Sequence, residues 1–340
     1  MPRPILDLEG LGIELKRYGV PAPAINRVAS GLRRRLGVSS KSIHPLQAWL
    51  KRLQPDLLVF SSDCLGGLAG IQLAGLMKIP YAYIMQANSE SWWPDDARRS
   101  AMNEAIDAAD GVVFFVGERN RDLFEFQLGR RLPRSVICRN PHGANGLEPL
   151  PWPDPVGTAP STLRLAFVGR LEPIAKGQDL LFQALAQPQW RDRSWHLSLF
   201  GSGHGEAGVK AMATLLGIND RLSFVPAYNS LKEVWSEHHA LVLPSRYEGL
   251  PLSLVEAMTL GRPAVVTNVA DSAVLLRDGL DGFVAEAPTV EHVSEALERL
   301  WQHQAQLAEL GQSAAERVKA FLPANPIAKA SEQILSLVGR

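Results

Sequence analysis

Two pairs of charged residues in the second half of this chain stand at spacings that suit anion and hydroxyl chemistry. Gly169-Arg170 is followed after five residues by Lys176-Gly177, and seven residues separate Glu248 from Glu256. Arginine can grip a diphosphate through parallel hydrogen bonds and lysine adds a compact charge, so Arg170 and Lys176 at one sheet edge would neutralise such a group. Glu248 can accept hydrogen bonds from sugar hydroxyls, and Glu256 can accept a pair from a ribose diol. Gly249, Leu250 and Pro251 lead from Glu248 into a helical pattern whose first amides suit a phosphate, and Gly249 permits close backbone approach. Either motif alone is compatible with a solvated surface loop; both on one sheet edge point to a ligand site.

Such an edge needs a parallel sheet, and residues 151–340 carry the pattern for one, short apolar runs alternating with longer amphipathic stretches. The periodicity predicts strands over residues 163–169, 196–200, 221–225, 240–244 and 263–267, separated by helices over 178–186, 206–216, 231–238 and 252–260. Arg170 and Glu248 then follow the carboxyl ends of two strands, where ligands bind in doubly wound sheets. After Phe283 the pattern turns helical, over 291–302, 304–321 and 327–338. The first half is similar in kind but weaker, with strands predicted over 56–60, 81–85, 111–116 and 135–138. Between the halves the proline-rich stretch 149–161 is hostile to helix and central strand, which sets the expected domain boundary between residues 150 and 151.

Composition narrows the classes. At 340 residues, two domains are expected, and 46% hydrophobic with 21% charged residues describes a chain able to bury a sizeable core. The 35 basic and 35 acidic residues balance, which argues against disorder and, without an aromatic-basic motif, against nucleic acid. Cys64 and Cys138 are the only cysteines, too few for a disulfide framework or a cysteine-built metal site, and a reducing compartment fits. No apolar run approaches the ~20 residues of a membrane span, and the first residues lack the apolar stretch of a secretory signal, so the expected location is cytoplasmic. Residues 1–54 nonetheless hold ten basic and three acidic side chains, including Arg33, Arg34 and Arg35. The basic stretch 27–52 reads as a solvated helix face or as peripheral contact with an anionic inner membrane face.

The two motifs in this order resemble the C-terminal domain of family 4 retaining glycosyltransferases of the GT-B architecture, the glycosyl transferases group 1. The pattern there is G-R-x5-K-G followed by E-x7-E, and the likeness is dense from Leu163 to about Phe321. It implies an α/β fold of two facing doubly wound parallel-sheet domains with a cleft between them. Residues 1–150 would form the acceptor side, 151–324 the nucleotide-sugar-binding domain, and 325–340 a helix returning to the first domain. By the same resemblance Arg170 and Lys176 bind the donor diphosphate, Glu248 contacts the donor sugar and Glu256 the ribose. Gly249, Leu250 and Pro251 would lie against sugar and phosphates, with Gly201 and Val225 flanking the base. The implied reaction is metal-independent transfer from a UDP-, GDP- or ADP-sugar to a hydroxyl of a glycan, lipid or small molecule, with no cofactor.

The resemblance falters in the first half. Only 55 residues precede the strand predicted from Asp56, where the family has about a hundred, which implies that the first strand-helix-strand unit is missing or replaced. The strand after Pro80 runs into QANSESWWP, placing Gln86 where the family carries a histidine; an amide cannot carry an imidazolium charge. Gln86 and Asn88 are the candidates for an acceptor-side wall, and the substitution keeps open a non-catalytic nucleotide-sugar-binding homologue or partner subunit.

Other motifs carry less. The glycine loop 201–205 follows a strand like a dinucleotide fingerprint, but Glu206 stands where a small residue belongs. His204 could touch a phosphate; His238 and His239, being adjacent, do not share a helix face for a metal. Asn140-Pro141-His142 reads equally as a strand-end cleft element and as a turn. Trp190, Trp195, Trp235 and Trp301 read as packing residues.

Overall fold

A computed structural model describes residues 45–144, 146–155, 157–159, 161–323 and 325–338. The chain divides into two compact units, Met1–Pro55 and Asp56–Arg340. In the first, the helix Pro45–Leu53 is described, with Lys51 and Arg52 in its last turn; Arg33, Arg34 and Arg35 lie outside the described residues.

The second unit holds two wholly parallel sheets. The first consists of β1 (Leu58–Ser62), β2 (Tyr81–Met85), β3 (Gly111–Phe115) and β4 (Ser135–Ile137), in the order β1-β2-β3-β4. Successive strand residues point to opposite faces, and the core divides accordingly. Tyr81, Tyr83, Met85, Val113 and Phe115 enter one buried cluster, whereas Ala82, Val112 and Phe114 enter another. The second cluster includes Ala330 and Leu337, so the helix Pro326–Leu335 and the turn after it lie against this first sheet.

The second sheet consists of β5 (Leu163–Val168), β6 (Trp195–Phe200), β7 (Leu222–Val225), β8 (Ala240–Leu243), β9 (Ala264–Thr267) and β10 (Gly282–Ala285), in the order β10-β9-β8-β5-β6-β7. Strand β5 pairs with β6 on one side and β8 on the other. The order therefore reverses at β5, the point where a doubly wound sheet opens a crevice beyond its strand ends. Helix Leu252–Thr259 follows β8, and helices Val290–Gln302 and Leu307–Phe321 complete the cover. Strand β10 corrects the expectation that the chain turns helical after Phe283: GFVA is too short and too lightly patterned to register as a strand alone, and it forms by pairing with β9.

The proline-rich connector is fastened to the second sheet by Arg262. Its side chain is fully buried and donates to the carbonyls of Leu150, Pro151, Trp235, His238, Leu260 and Gly261 at 2.8–3.3 Å. Burial without a carboxylate partner brings its pKa down to about 10, and the ring of carbonyls meets the hydrogen-bonding need that an ion pair would otherwise serve. Trp190 and Trp235 are fully buried, and Trp190 packs edge-on against Trp195 and Trp301.

Candidate functional site

Both motifs fall at the reversal of the second sheet. After β5 the chain passes Gly169 and Arg170 into the short helix Pro173–Lys176, and Gly177 turns it into the helix Gln178–Leu185. Gly177 adopts φ +68°, and a Cβ there would stand 2.0 Å from the carbonyl oxygen of Pro244. Only glycine meets both demands, and the close approach delivers Lys176 to the end of β8. Arg246 fixes the same junction from the other side. Its guanidinium grips both oxygens of Asp179 at 2.7 Å and donates to Pro173 O at 2.7 Å, while its amide donates to Ala175 O at 2.8 Å.

This junction brings Lys176 Nζ onto Oε1 of Glu248 as an ion pair, and Ser245 Oγ donates to the same oxygen at 2.7 Å. The Lys176 side chain is 16% exposed and that of Glu248 9%, so the pair is largely shielded from solvent and its mutual attraction is little screened. Arg170 differs: its side chain is 66% exposed and meets Glu172 at 3.1 Å. Its backbone is held by Gln178, a fully buried residue whose Nε2 donates to Arg170 O at 2.7 Å. Tyr247 lies within the electrostatic reach of Glu172, Arg170, Asp63 and Glu248, and burial above all pushes its hydroxyl pKa up.

Glu256 sits one turn inside the helix Leu252–Thr259, which starts after Pro251 with no side chain capping it. Its Oε1 lies 3.5 Å from the position a Cβ on Gly143 would occupy, which sets the loop after β4 beside it. From the first half Asn140 Nδ2 donates to Gln86 Oε1 at 2.8 Å. The backbone of Asn88 forms a bridge with that of Glu248, and Trp92 packs on Tyr247 with ring centroids 4.6 Å apart.

Several expected site residues are engaged within the protein itself. A Cβ on Gly249 would lie 1.9 Å from the carbonyl oxygen of Gln86, so the close approach it permits is by the first half of the chain. The Leu250 side chain is in the core and Pro251 is buried, leaving only the backbone of this stretch for a ligand. Asn88 is 3% exposed, and its amide is committed to Gln127 Oε1 at 2.9 Å and to the Ser89 amide at 2.8 Å. Gly201, with φ +139°, has Gly169 O where its Cβ would be and donates its amide to Val225 O at 2.9 Å. Gly203 and Gly205 abut Leu171 in the same way. The glycine loop is thus shaped by the backbone of residues 169–171.

His204 is exposed. His238 Nδ1 donates to Val234 O at 2.6 Å. His239 is fully buried, its Nδ1 accepting from the Arg164 amide at 2.9 Å, so that Nε2 carries the proton it gives to Asp154 at 2.6 Å. Burial, reinforced by Arg164, brings its pKa down to about 4. No group of histidine, cysteine and carboxylate side chains among the described residues could hold a metal ion, and no described helix is long and apolar enough to cross a membrane. Two concavities, of about 550 and 240 Å³, lie away from Lys176 and Glu248, one lined by residues such as Gln187 and Glu298, the other by residues such as Cys138 and Lys329.

Sequence reasoning overlooked Ser245, the clamp of Arg246 on Asp179, and the contacts from Asn120 and Asp271 described below. Arg246 and Asp179 had a signal in their proximity to the two motifs; the others are joined only by the fold.

Residues 153–317 match the family model Glycosyl transferases group 1. The chain carries a group 1 glycosyl transferase domain. Over 240 residues it is 30% identical to the exopolysaccharide phosphotransferase of Streptomyces coelicolor, an alignment covering 68% of this chain and 24% of that protein. Over 316 residues it is 27% identical to the D-inositol 3-phosphate glycosyltransferase of Streptomyces griseus, covering 81% of this chain and 66% of the relative. Among solved structures it is similar to HepE of Anabaena in complex with UDP, with a TM-score of 0.68 at 16% identity over 91% of this chain and 89% of the other. The fold of the chain is GT-B. It spans between 24% and 39% of the length of several curated relatives.

Proposed function

We propose that this chain transfers a glycosyl group from a nucleotide-sugar to an acceptor hydroxyl of a glycan, lipid or small molecule, with retention of anomeric configuration and without a metal ion. The observation that carries the reading is the meeting of Lys176 and Glu248 at the strand-order reversal, from two motifs far apart in sequence. Arg170 and Lys176 take the diphosphate of the donor and offset the charge that develops as it departs, together with the uncapped amides at the start of helix Leu252–Thr259. Lys176 exchanges its hold on Glu248 for the diphosphate, and the released carboxylate orients the donor sugar. Glu256 holds the ribose, and Gly201 and Val225 border the base through their backbones. Gln86 faces the acceptor side. The basic stretch 27–52 is the region proposed for contact with an anionic membrane surface.

The relative from Streptomyces griseus acts on D-inositol 3-phosphate by its name, and the Anabaena structure holds UDP, which places UDP-sugars first among the donors to try. Thermal stabilisation by UDP-, GDP- and ADP-sugars tests the reading, because a bound ligand raises stability with the logarithm of its saturation. At least one is expected to stabilise the wild type and to lose its effect in Lys176→Ala. No stabilisation by any of them would overturn the reading.

Gln86 favours a second reading, a nucleotide-sugar binder without turnover, since an amide bonded to Asn140 cannot supply an imidazolium charge. Release of nucleoside diphosphate in the presence of acceptor separates the two: a binder shows affinity and no release.

A further inference from the structure

The helix Glu118–Leu128 belongs to the first half of the chain, yet its start is completed by the second. Gly117 at its N-cap has no side chain, and the amides of Glu118 and Arg119 each donate at 3.0 Å to one oxygen of Asp271, which follows β9 and is fully buried. The Arg139 guanidinium pairs with the same carboxylate and donates to Val116 O at 3.1 Å. A Cβ on Gly117 would lie 2.9 Å from Asp271, so glycine is what lets the carboxylate reach the helix. An acceptor at this position meets both the unpaired amides and the positive end of the helix dipole.

Anchored in this way, the helix holds the backbone of Glu248. Asn120 is 2% exposed and donates Nδ2 to the carbonyl oxygen of Glu248 at 3.2 Å. Gln127, two turns on, donates to Ser89 O at 3.0 Å and accepts from Asn88, whose backbone bridges that of Glu248. The side chain of Glu248 is held by Lys176 and Ser245 from the second half, whereas its main chain is held by Asn120 and Asn88 from the first.

We propose that Asn120 is a positioning residue for the donor sugar, setting the backbone of Glu248 so that its carboxylate meets the sugar hydroxyls, with Asp271 as the anchor of the helix that carries it. The proposal rests on the assignment of Glu248 to the donor sugar. It makes the acceptor half of the chain a determinant of sugar recognition, and it separates two parts of one ligand: Asn120 acts on the sugar, while Arg170, Lys176 and Glu256 act on the nucleoside diphosphate.

Calorimetric titration with UDP and UDP-glucose, with the GDP/GDP-mannose and ADP/ADP-glucose pairs alongside, tests it on wild type, Asn120→Ala and Asn120→Asp. Asn120→Asp keeps the shape and replaces the donor by an acceptor. Asn103→Ala is the control, because Asn103 Nδ2 donates to Leu128 O at 3.2 Å and so loosens the far end of the same helix without touching Glu248. Both Asn120 variants are expected to weaken the sugar nucleotide by about tenfold, the scale of one lost hydrogen bond, and the matching nucleoside diphosphate by less than about twofold. Asn103→Ala is expected to change neither, and thermal melts report whether each variant is folded. Equal weakening of both ligands, or weakening of neither, would overturn the positioning role while leaving the functional reading intact. If the wild type binds none of the six probes, the functional reading falls and this role with it.

Discussion

Both sheets of the large unit are parallel and covered by helices, but their strand orders differ in one respect. The first runs β1-β2-β3-β4 without reversal among the described residues, whereas the second reverses at β5. At a reversal neighbouring strands send their chains to opposite faces, and their carboxyl ends leave a crevice that side chains from two loops can line. Lys176 and Glu248 come from the loops after β5 and β8, the two strands that meet there. The loops of the first sheet instead bring uncharged groups: Asn140 donates to Gln86 at 2.8 Å, and the backbone of Asn88 bridges that of Glu248. Each half thus contributes what its topology allows, charge from one and shape from the other.

Removing what fastens the second sheet to the connector should have the largest effect. Arg262→Met removes the hydrogen bonds to six carbonyls, of which Leu260 O keeps the Leu150 amide as a donor, and is expected to cost about 3–5 kcal/mol in a denaturant titration, the range for breaking a buried charged network. Arg130→Met in the first half, whose partner Asp107 is well exposed, should cost less than about 1 kcal/mol. Comparable losses at the two sites would blur the contrast between the halves.

Next in size is the charge at the reversal. Lys176→Ala or Arg170→Ala should reduce turnover by about 10²–10³-fold, the usual result of deleting one group that stabilises developing charge. Normal turnover in the double variant, measured with an identified donor, would remove the site from the second sheet.

Acidification should also tell the halves apart. His239 in the second half has its pKa lowered to about 4 from 6.5, so between these values the unfolded chain takes up a proton that the folded chain refuses. Its contribution is complete above pH 6.5 and is lost as pH falls toward 4, up to about 3 kcal/mol over the window. Melting temperature against pH for wild type and His239→Gln should show a shallower acid slope in the variant; parallel slopes would assign the acid sensitivity to other groups.

The smallest expected change is in the wall. Gln86→Ala or Asn140→Ala removes one neutral hydrogen bond, and about a tenfold loss in kcat/KM is anticipated with donor affinity unaltered. A loss as large as that of Lys176→Ala would mean that the first half takes part in the chemistry itself.

Much of this was readable beforehand. Nine strands and the longer helices of the second half follow from apolar runs and amphipathic periods, and their ends agree within about three residues. The charged motifs were legible because their spacing is local: five residues lie between Arg170 and Lys176, and seven between Glu248 and Glu256. What approaches Gly249 and the glycines of the 201–205 loop was not legible, for one reason. A glycine marks a close approach, but its neighbours along the chain do not say what approaches, and here it is Gln86, Gly169 and Leu171. Asn120 and Asp271 gave no signal, since the partner of each is more than a hundred residues away.

The order of residues decided the periodicities, the glycine turn at Gly177, the break at the prolines and the chemical character of each motif, because all of these depend on contacts within a few residues. Tertiary structure alone decided that β5 lies beside β8, that Lys176 rests on Glu248, and that Glu248 is held from behind by Asn120. Those outcomes depend on which strands pair and which buried polar groups find partners across the fold, and both are settled by packing over the whole chain.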